Sequence, residues 1–177
     1  MQELKQQLTS IFTDIVICIP SEDRMLIEIQ KEGVLSLLSY LKKRGYNHLA
    51  MISCNDWIDA DEFELIYIVS PYLHRNPVES EINQKANILI KTRISRKTAK
   101  FITIIDLFES AEPYEREIHE MFGIRFEGHP RLKPLMLERD YAIPPFRKDF
   151  NLDNYVQNTF GKIPSIEARK KGDNERT

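Results

Sequence analysis

The chain has 177 residues, 42% hydrophobic and 29% charged, which is enough apolar material for one folded core with or without an extension. A formal net charge of -2 and a pI near 6.1 give no overall positive field, so nucleic acid is not an expected partner. The two cysteines, Cys18 and Cys54, cannot form a disulfide framework or a four-thiolate cluster, and both are expected to be small buried hydrophobes.

The N-terminal MQELKQQLTS lacks an apolar signal core, which points to a cytoplasmic protein. The longest apolar runs are strand-sized, far short of a membrane span, so any work at a membrane requires another chain to hold this one there.

Residues 2–12 predict a short amphipathic helix with Leu4, Leu8, Ile11 and Phe12 on one side. The β-branched run Asp14–Pro20 predicts a strand, Ser21-Glu22-Asp23 a turn, and Met25–Ile29 a second strand paired with the first as a hairpin. In Glu32–Arg44, Val34, Leu37, Leu38 and Leu41 recur at helical steps, and Gly45 supplies the stop. His48–Cys54 and Phe63–Ser70 read as strands, separated by a polar turn around Trp57. Arg75-Asn76-Pro77 reads as a loop. Ala86–Ser95 alternates Ile88, Ile90, Thr92 and Ile94 against Leu89, Lys91 and Arg93, as a strand with one basic side in water does. Phe101–Phe108 is a last apolar segment, and Glu112–Phe122 a helix ended by Gly123.

After Phe126 no periodicity continues, and Pro130, Pro134, Pro144 and Pro145 oppose long helix or central strand. The expected architecture is α+β: residues 1–123 form a two-layer domain, a mixed sheet covered by two main helices. Residues 124–177 form an extended docking tail, mobile towards its charged end.

Residues 113–150 concentrate charge, aromatics, Gly and Pro. His119-Glu120 opens like a zinc-protease helix motif, but the second histidine that would share its face is replaced by Gly123. A small metal-dependent enzyme would have to assemble Glu115, Glu117, His119 and His129 from separate turns. The acids have a plainer account. They suit a helix N-terminus, and Glu115–His119 and Arg116–Glu120 are spaced to pair along one face. Tail cations are interleaved with Glu127, Glu138, Asp140, Asp149 and Asp153, which suits pairing with protein better than tracking phosphates. Phe126, Leu132, Leu135, Met136, Leu137, Tyr141, Ile143 and Phe146 are too many apolar groups for a solvated ribbon. They must lie on the domain or on a partner. A free-standing interaction module would share that requirement.

Glu115-Arg116-Glu117, Glu120, Met121-Phe122 and His129 stand in the order and spacing of a known signature. With Gly123, Phe126, Gly128, Pro130 and the run Phe146-Arg147-Lys148-Asp149-Phe150, the stretch resembles the thirty-kilodalton subunit family of respiratory complex I, the NADH–quinone oxidoreductase. That family includes the equivalent hydrophilic subunit of membrane-bound hydrogenase and of other complex I-like oxidoreductases. The chain departs from the family pattern at Pro134 after Lys133, at Tyr141 where Trp is common, and at Asn151 where Pro often stands.

The resemblance implies an α+β domain with a C-terminal extension and no cofactor of its own. It implies a structural subunit on the cytoplasmic side of the membrane, docked on a large subunit resembling the nickel–iron hydrogenase large subunit. Beside them would stand an iron–sulfur small subunit, with the membrane subunits touched only indirectly. Iron–sulfur clusters, and nickel–iron or quinone, would reside in those partners. The residues it singles out are Glu115, Arg116, Glu117, Glu120, His129, Pro130, Phe146, Arg147, Lys148 and Asp149, with Arg116 and Arg147 expected to grip carboxylates.

Overall fold

The computed structural model describes residues 1–71, 87–137 and 141–161. The expected loop at residues 75–77, the first residue of the strand predicted from Ala86, the acids Glu138 and Asp140 and the charged C-terminal run lie outside the described residues. Helix α1 spans Gln2–Ile11, strand β1 Ile15–Ser21 and β2 Arg24–Ile29. One 3-10 turn, Lys31–Gly33, leads into α2, Val34–Lys43. Strands β3, His48–Trp57, β4, Glu62–Ser70, and β5, Asn87–Ser95, follow. Then come β6, Lys100–Ile102, α3, Ala111–Phe122, β7, Arg125–Glu127, and α4, Leu152–Phe160.

Five strands form one mixed sheet in the order β1-β2-β5-β4-β3, parallel only where β2 meets β5. The register stacks apolar residues in rows. Met25, Ile88, Val69 and Leu49 pair across four strands, and Ile27, Ile90, Tyr67 and Ile52 form the next row. This face, with Leu8 of α1, Val34, Leu37, Leu38 and Leu41 of α2, and Ile118 and Phe122 of α3, makes a single buried cluster. α2 approaches the sheet closely at its start, where a Cβ on Gly33 would stand 2.6 Å from Ile29 Cδ1. The opposite face is the polar one that β5 alternation predicts. Lys91 and Arg93 point outward and pair with Glu64 and Glu62, and Arg93 also covers the Trp57 ring.

Three expectations are corrected. Cys18 is exposed, because Ile17 and Ile19 turn the other way along β1; Cys54 is buried as expected. The polar stretch after Cys54 is not a turn around Trp57. β3 continues through Asn55, Asp56 and Trp57, paired with Glu64, Phe63 and Glu62, and the chain turns only at Ile58–Asp61. The tail is not extended throughout, since α4 forms where Asn151 accepts a hydrogen bond from the Asn154 backbone N–H at 2.9 Å. At the start of residues 124–177, β7 pairs in parallel with β6.

α3 lies against β3 at an irregularity. Register is lost between Leu49 and Met51, leaving Ala50 without a ladder partner. The Tyr114 hydroxyl donates to the Ala50 carbonyl at 2.9 Å and satisfies it. Phe63 then meets Phe122 edge to face, with ring centroids 6.1 Å apart. Phe63→Ala is expected to lower unfolding free energy by about 3–5 kcal/mol, through a cavity where the sheet, α3 and tail converge. Urea unfolding of the purified chain measures it.

Candidate docking surface

The signature stretch places its side chains by the pitch of α3. Glu115 lies on the inner face and is fully buried. Its carboxylate accepts from the Thr103 hydroxyl at 2.6 Å and from the Ile104 backbone N–H at 2.8 Å, pinning the segment after β6. Burial pushes its carboxyl up to about 7, against the lowering effect of those two hydrogen bonds.

One turn apart on the outer side, Glu112, Arg116 and Glu120 face the tail. Arg116 donates through Nε to the Lys133 carbonyl at 3.0 Å and through Nη2 to the Pro134 carbonyl at 2.9 Å. It also reaches Glu112 at 3.3 Å. Glu120 accepts from the backbone N–H groups of Met136 and Leu137 at 3.0 and 2.8 Å. The expected pairs Glu115–His119 and Arg116–Glu120 are therefore not formed, because each acid has backbone donors to satisfy. Arg116 likewise spends most of its fork on carbonyls rather than on a carboxylate.

The histidines serve the same path. His119 Nδ1 donates to the Ile124 carbonyl at 2.9 Å. His129 accepts the Arg131 N–H at Nδ1, 3.0 Å, and its Nε2 faces the Glu112 carbonyl at 3.4 Å, which fits the neutral tautomer with the proton on Nε2. Pro130, between them in the turn, is exposed. Glu115, Glu117, His119 and His129 thus do not converge. Among the described residues no three His, Cys, Asp or Glu side chains are grouped to hold a metal ion.

The tail returns to the body at Gly123, whose φ of 79° suits glycine and where a Cβ would sit 3.0 Å from Pro144 Cγ. The Phe146 N–H donates to the Met121 carbonyl at 3.0 Å, and its ring stands edge to face on Phe122. Arg147 grips Asp149 of its own tail, at 3.1 Å. Asp149 reaches Arg96 at 2.9 Å, and Arg96 pairs with Asp56 at 2.7 Å. The Lys148 N–H donates to the same Asp56 at 2.9 Å, while the Lys148 side chain faces solvent. Tyr141, Phe150 and Tyr155 form an aromatic cluster that seats α4, with Tyr141 and Tyr155 stacked at 4.8 Å.

Asp56, Arg96, Glu112 and Thr103 were not legible as site residues. They lie outside the signature and carry no local pattern. The apolar groups expected to need cover divide in two. Phe126, Leu132 and Leu137 pack on the body. Met136, Ile143 and Phe146 remain exposed, joined by Leu152 and Phe160 of α4, with Phe146 at 60% exposure. A fixed backbone presenting this much apolar surface is suited to docking.

Two outcomes follow from the geometry. A carboxyl raised in the folded state binds its proton more tightly there, so its favourable contribution is complete below pH 4.5 and is lost as pH rises to about 7. The wild-type chain should lose on the order of 3 kcal/mol across that window relative to Glu115→Gln, read from denaturant melts at several pH values. Glu120→Ala should accelerate amide exchange at Met136 and Leu137 by at least tenfold while leaving the sheet amides unchanged, read by hydrogen exchange.

The family model described as the 30-kDa subunit of respiratory-chain NADH dehydrogenase matches residues 27–156. The C subunit of the F(420)H(2) dehydrogenase of Methanosarcina mazei is 32% identical over 134 residues, covering 75% of this chain and 78% of that protein. The C subunit of the NADH-quinone oxidoreductase of Moorella thermoacetica is 29% identical over 153 residues, covering 86% and 96%. In fold, the chain resembles one from the structure of the membrane-bound sulfane sulfur reductase, an archaeal respiratory membrane complex. The TM-score is 0.79 at 24% identity, over 93% of this chain and 94% of that one. The match at residues 27–156 takes in most of the sheet, the signature and the returning tail, and the chain belongs to the family of the 30-kDa subunit of respiratory-chain NADH dehydrogenase.

Proposed function

We propose that this chain is a non-catalytic structural subunit in the peripheral arm of a membrane-associated, complex I-like redox complex. Its tail surface docks on a large subunit resembling the nickel–iron hydrogenase large subunit, next to an iron–sulfur small subunit. Electron transfer runs through clusters and a nickel–iron or quinone site in those partners, and this chain holds them in place from the cytoplasmic side. Among the described residues no helix is long and apolar enough to cross a membrane, so attachment would come through partners.

One observation carries the reading: exposed Met136, Ile143 and Phe146 stand on a tail pinned by Arg116, Glu120, Asp56 and the Met121 carbonyl, and exposed Leu152 and Phe160 extend the surface on α4. A solvated ribbon would neither be pinned nor keep such groups outward. Family membership supports the same conclusion, as do relatives named as subunits of an F(420)H(2) dehydrogenase and a quinone oxidoreductase. A metal-dependent enzyme is disfavoured because Glu115, His119 and His129, three of its four proposed ligands, are directed to different backbone partners.

Expressed with a tag in its native host, the wild-type chain should co-purify with a large and a small redox subunit. Phe146→Asp should emerge free of them, as a folded monomer with an unchanged circular dichroism spectrum. A wild-type chain that purifies alone sinks the proposal.

A further inference from the structure

Among the described residues, two that are not glycine adopt the left-handed conformation, Asp61 at φ 55° and Ala99 at φ 43°. Side chains are disfavoured there, and such positions persist only where the surroundings hold them. Asp61 lies in the turn from β3 to β4, and Ala99 in the turn from β5 to β6. The two turns are joined. The Arg96 N–H donates to the Asp61 carbonyl at 2.9 Å, and the Lys97 ammonium lies 3.4 Å from the Asp61 carboxylate. The Ala99 carbonyl accepts from the Arg125 N–H at 2.7 Å, so this corner also fixes the start of β7.

Arg96 projects from the corner with its side chain 8% exposed. Groups of the body orient it. Asp56 stands 2.7 Å from its Nε, and the guanidinium lies over the Phe63 ring at 5.4 Å. Its Nη2 is shared, donating to Asp56 at 3.1 Å and to Asp149 of the tail at 2.9 Å. Asp149 sits between two parts of the docking surface. Before it come Lys148, whose N–H is held by Asp56, and Phe146, whose N–H is held by Met121. After it comes Phe150, which packs on Tyr141 and on Tyr155 of α4. The sheet has no such dependence on the tail, because the buried core of the described residues contains nothing after Phe126.

We infer that Arg96 is a receptor for Asp149 that the body builds by itself, and that this pair is a latch: it opens and closes without unfolding the sheet and sets the position of the docking surface. The last step rests on the docking reading above. Arginine suits the task because its planar fork can serve two carboxylates at once, which an ammonium does with less geometric control. The two left-handed turns keep that fork aimed, so the ordering cost is met when the body folds and not when the tail closes.

The test uses the full chain and the complex from the native host. Asp149→Asn and Arg96→Lys should each speed amide exchange at Phe146 and Lys148 about tenfold or more, with the β3, β4 and β5 amides as in wild type. In Asp149→Asn the Arg96 side-chain N–H resonance should keep its wild-type position, since Asp56 still holds it. Its loss, or sheet amides that accelerate in step with the tail, overturns the preformed receptor. Tail amides that stay slow in both variants, or that are freed by Arg147→Gln but not by Arg96→Lys, overturn the latch. In the complex, Asp149→Asn should raise the dissociation rate of the subunit about tenfold. If that rate is unchanged while Phe146→Asp is released, the docking reading stands and the latch does not set the surface. If Phe146→Asp also stays bound, the docking reading falls, and amide exchange alone decides the latch.

Discussion

The Asp56 carboxylate ties the body of this protein to the returning part of its tail. It sits near the end of edge strand β3 with its side chain 2% exposed, and it meets both the Arg96 guanidinium and the Lys148 backbone N–H. Arg96 in turn lies over the Phe63 ring and extends to Asp149. Burial disfavours the guanidinium charge, yet Asp56 and Asp149 outweigh it and raise its affinity for the proton. Such a pair adds little over apolar packing, but losing one partner strands the other, at about 3–5 kcal/mol. Its value lies in geometry. It sets where the tail comes to rest after leaving α3.

The other polar residues of the signature solve a backbone problem. Around Pro130 and Pro134 the chain cannot join a ladder or a helix, so its carbonyls and N–H groups need partners from elsewhere. Arg116 takes two carbonyls and Glu120 takes two N–H groups. The density of charge that first suggests an active site is the scaffolding of an irregular segment. Apolar side chains on that segment are then held outward on a fixed frame, which lowers the ordering cost of binding.

Much of the fold was legible because periodicity reports which face is buried. α2, β2, β4, β5 and α3 lie where their patterns put them, and Gly123 ends α3 in the left-handed conformation. What failed depended on distant partners. Asp56 looked like turn chemistry because nothing near it in sequence shows Arg96, forty positions on in the chain. Cys18 was misplaced because a continuous β-branched run does not reveal which alternate residues face inward. Glu115 could be placed on α3 but not recognised as buried, since Thr103 and Ile104 carry no mark of an acceptor waiting nearby. α4 was missed although Asn151 before it and Gly161 after it are ordinary cap residues.

The sheet has a seam. Among the described residues its only parallel contact joins β2 to β5, and residues such as Met25 and Ile88, about sixty positions apart, become neighbours there. On one side lies a hairpin with α1 and α2, on the other a three-stranded meander, each built from contacts close in sequence. Each half can therefore form quickly, while the seam requires a costly loop closure and comes late. Until it closes, the inner edges of β2 and β5 offer unpaired backbone to any other chain. During synthesis the first half emerges from the ribosome before its partner strand exists, so the hazard of mispairing falls on β2.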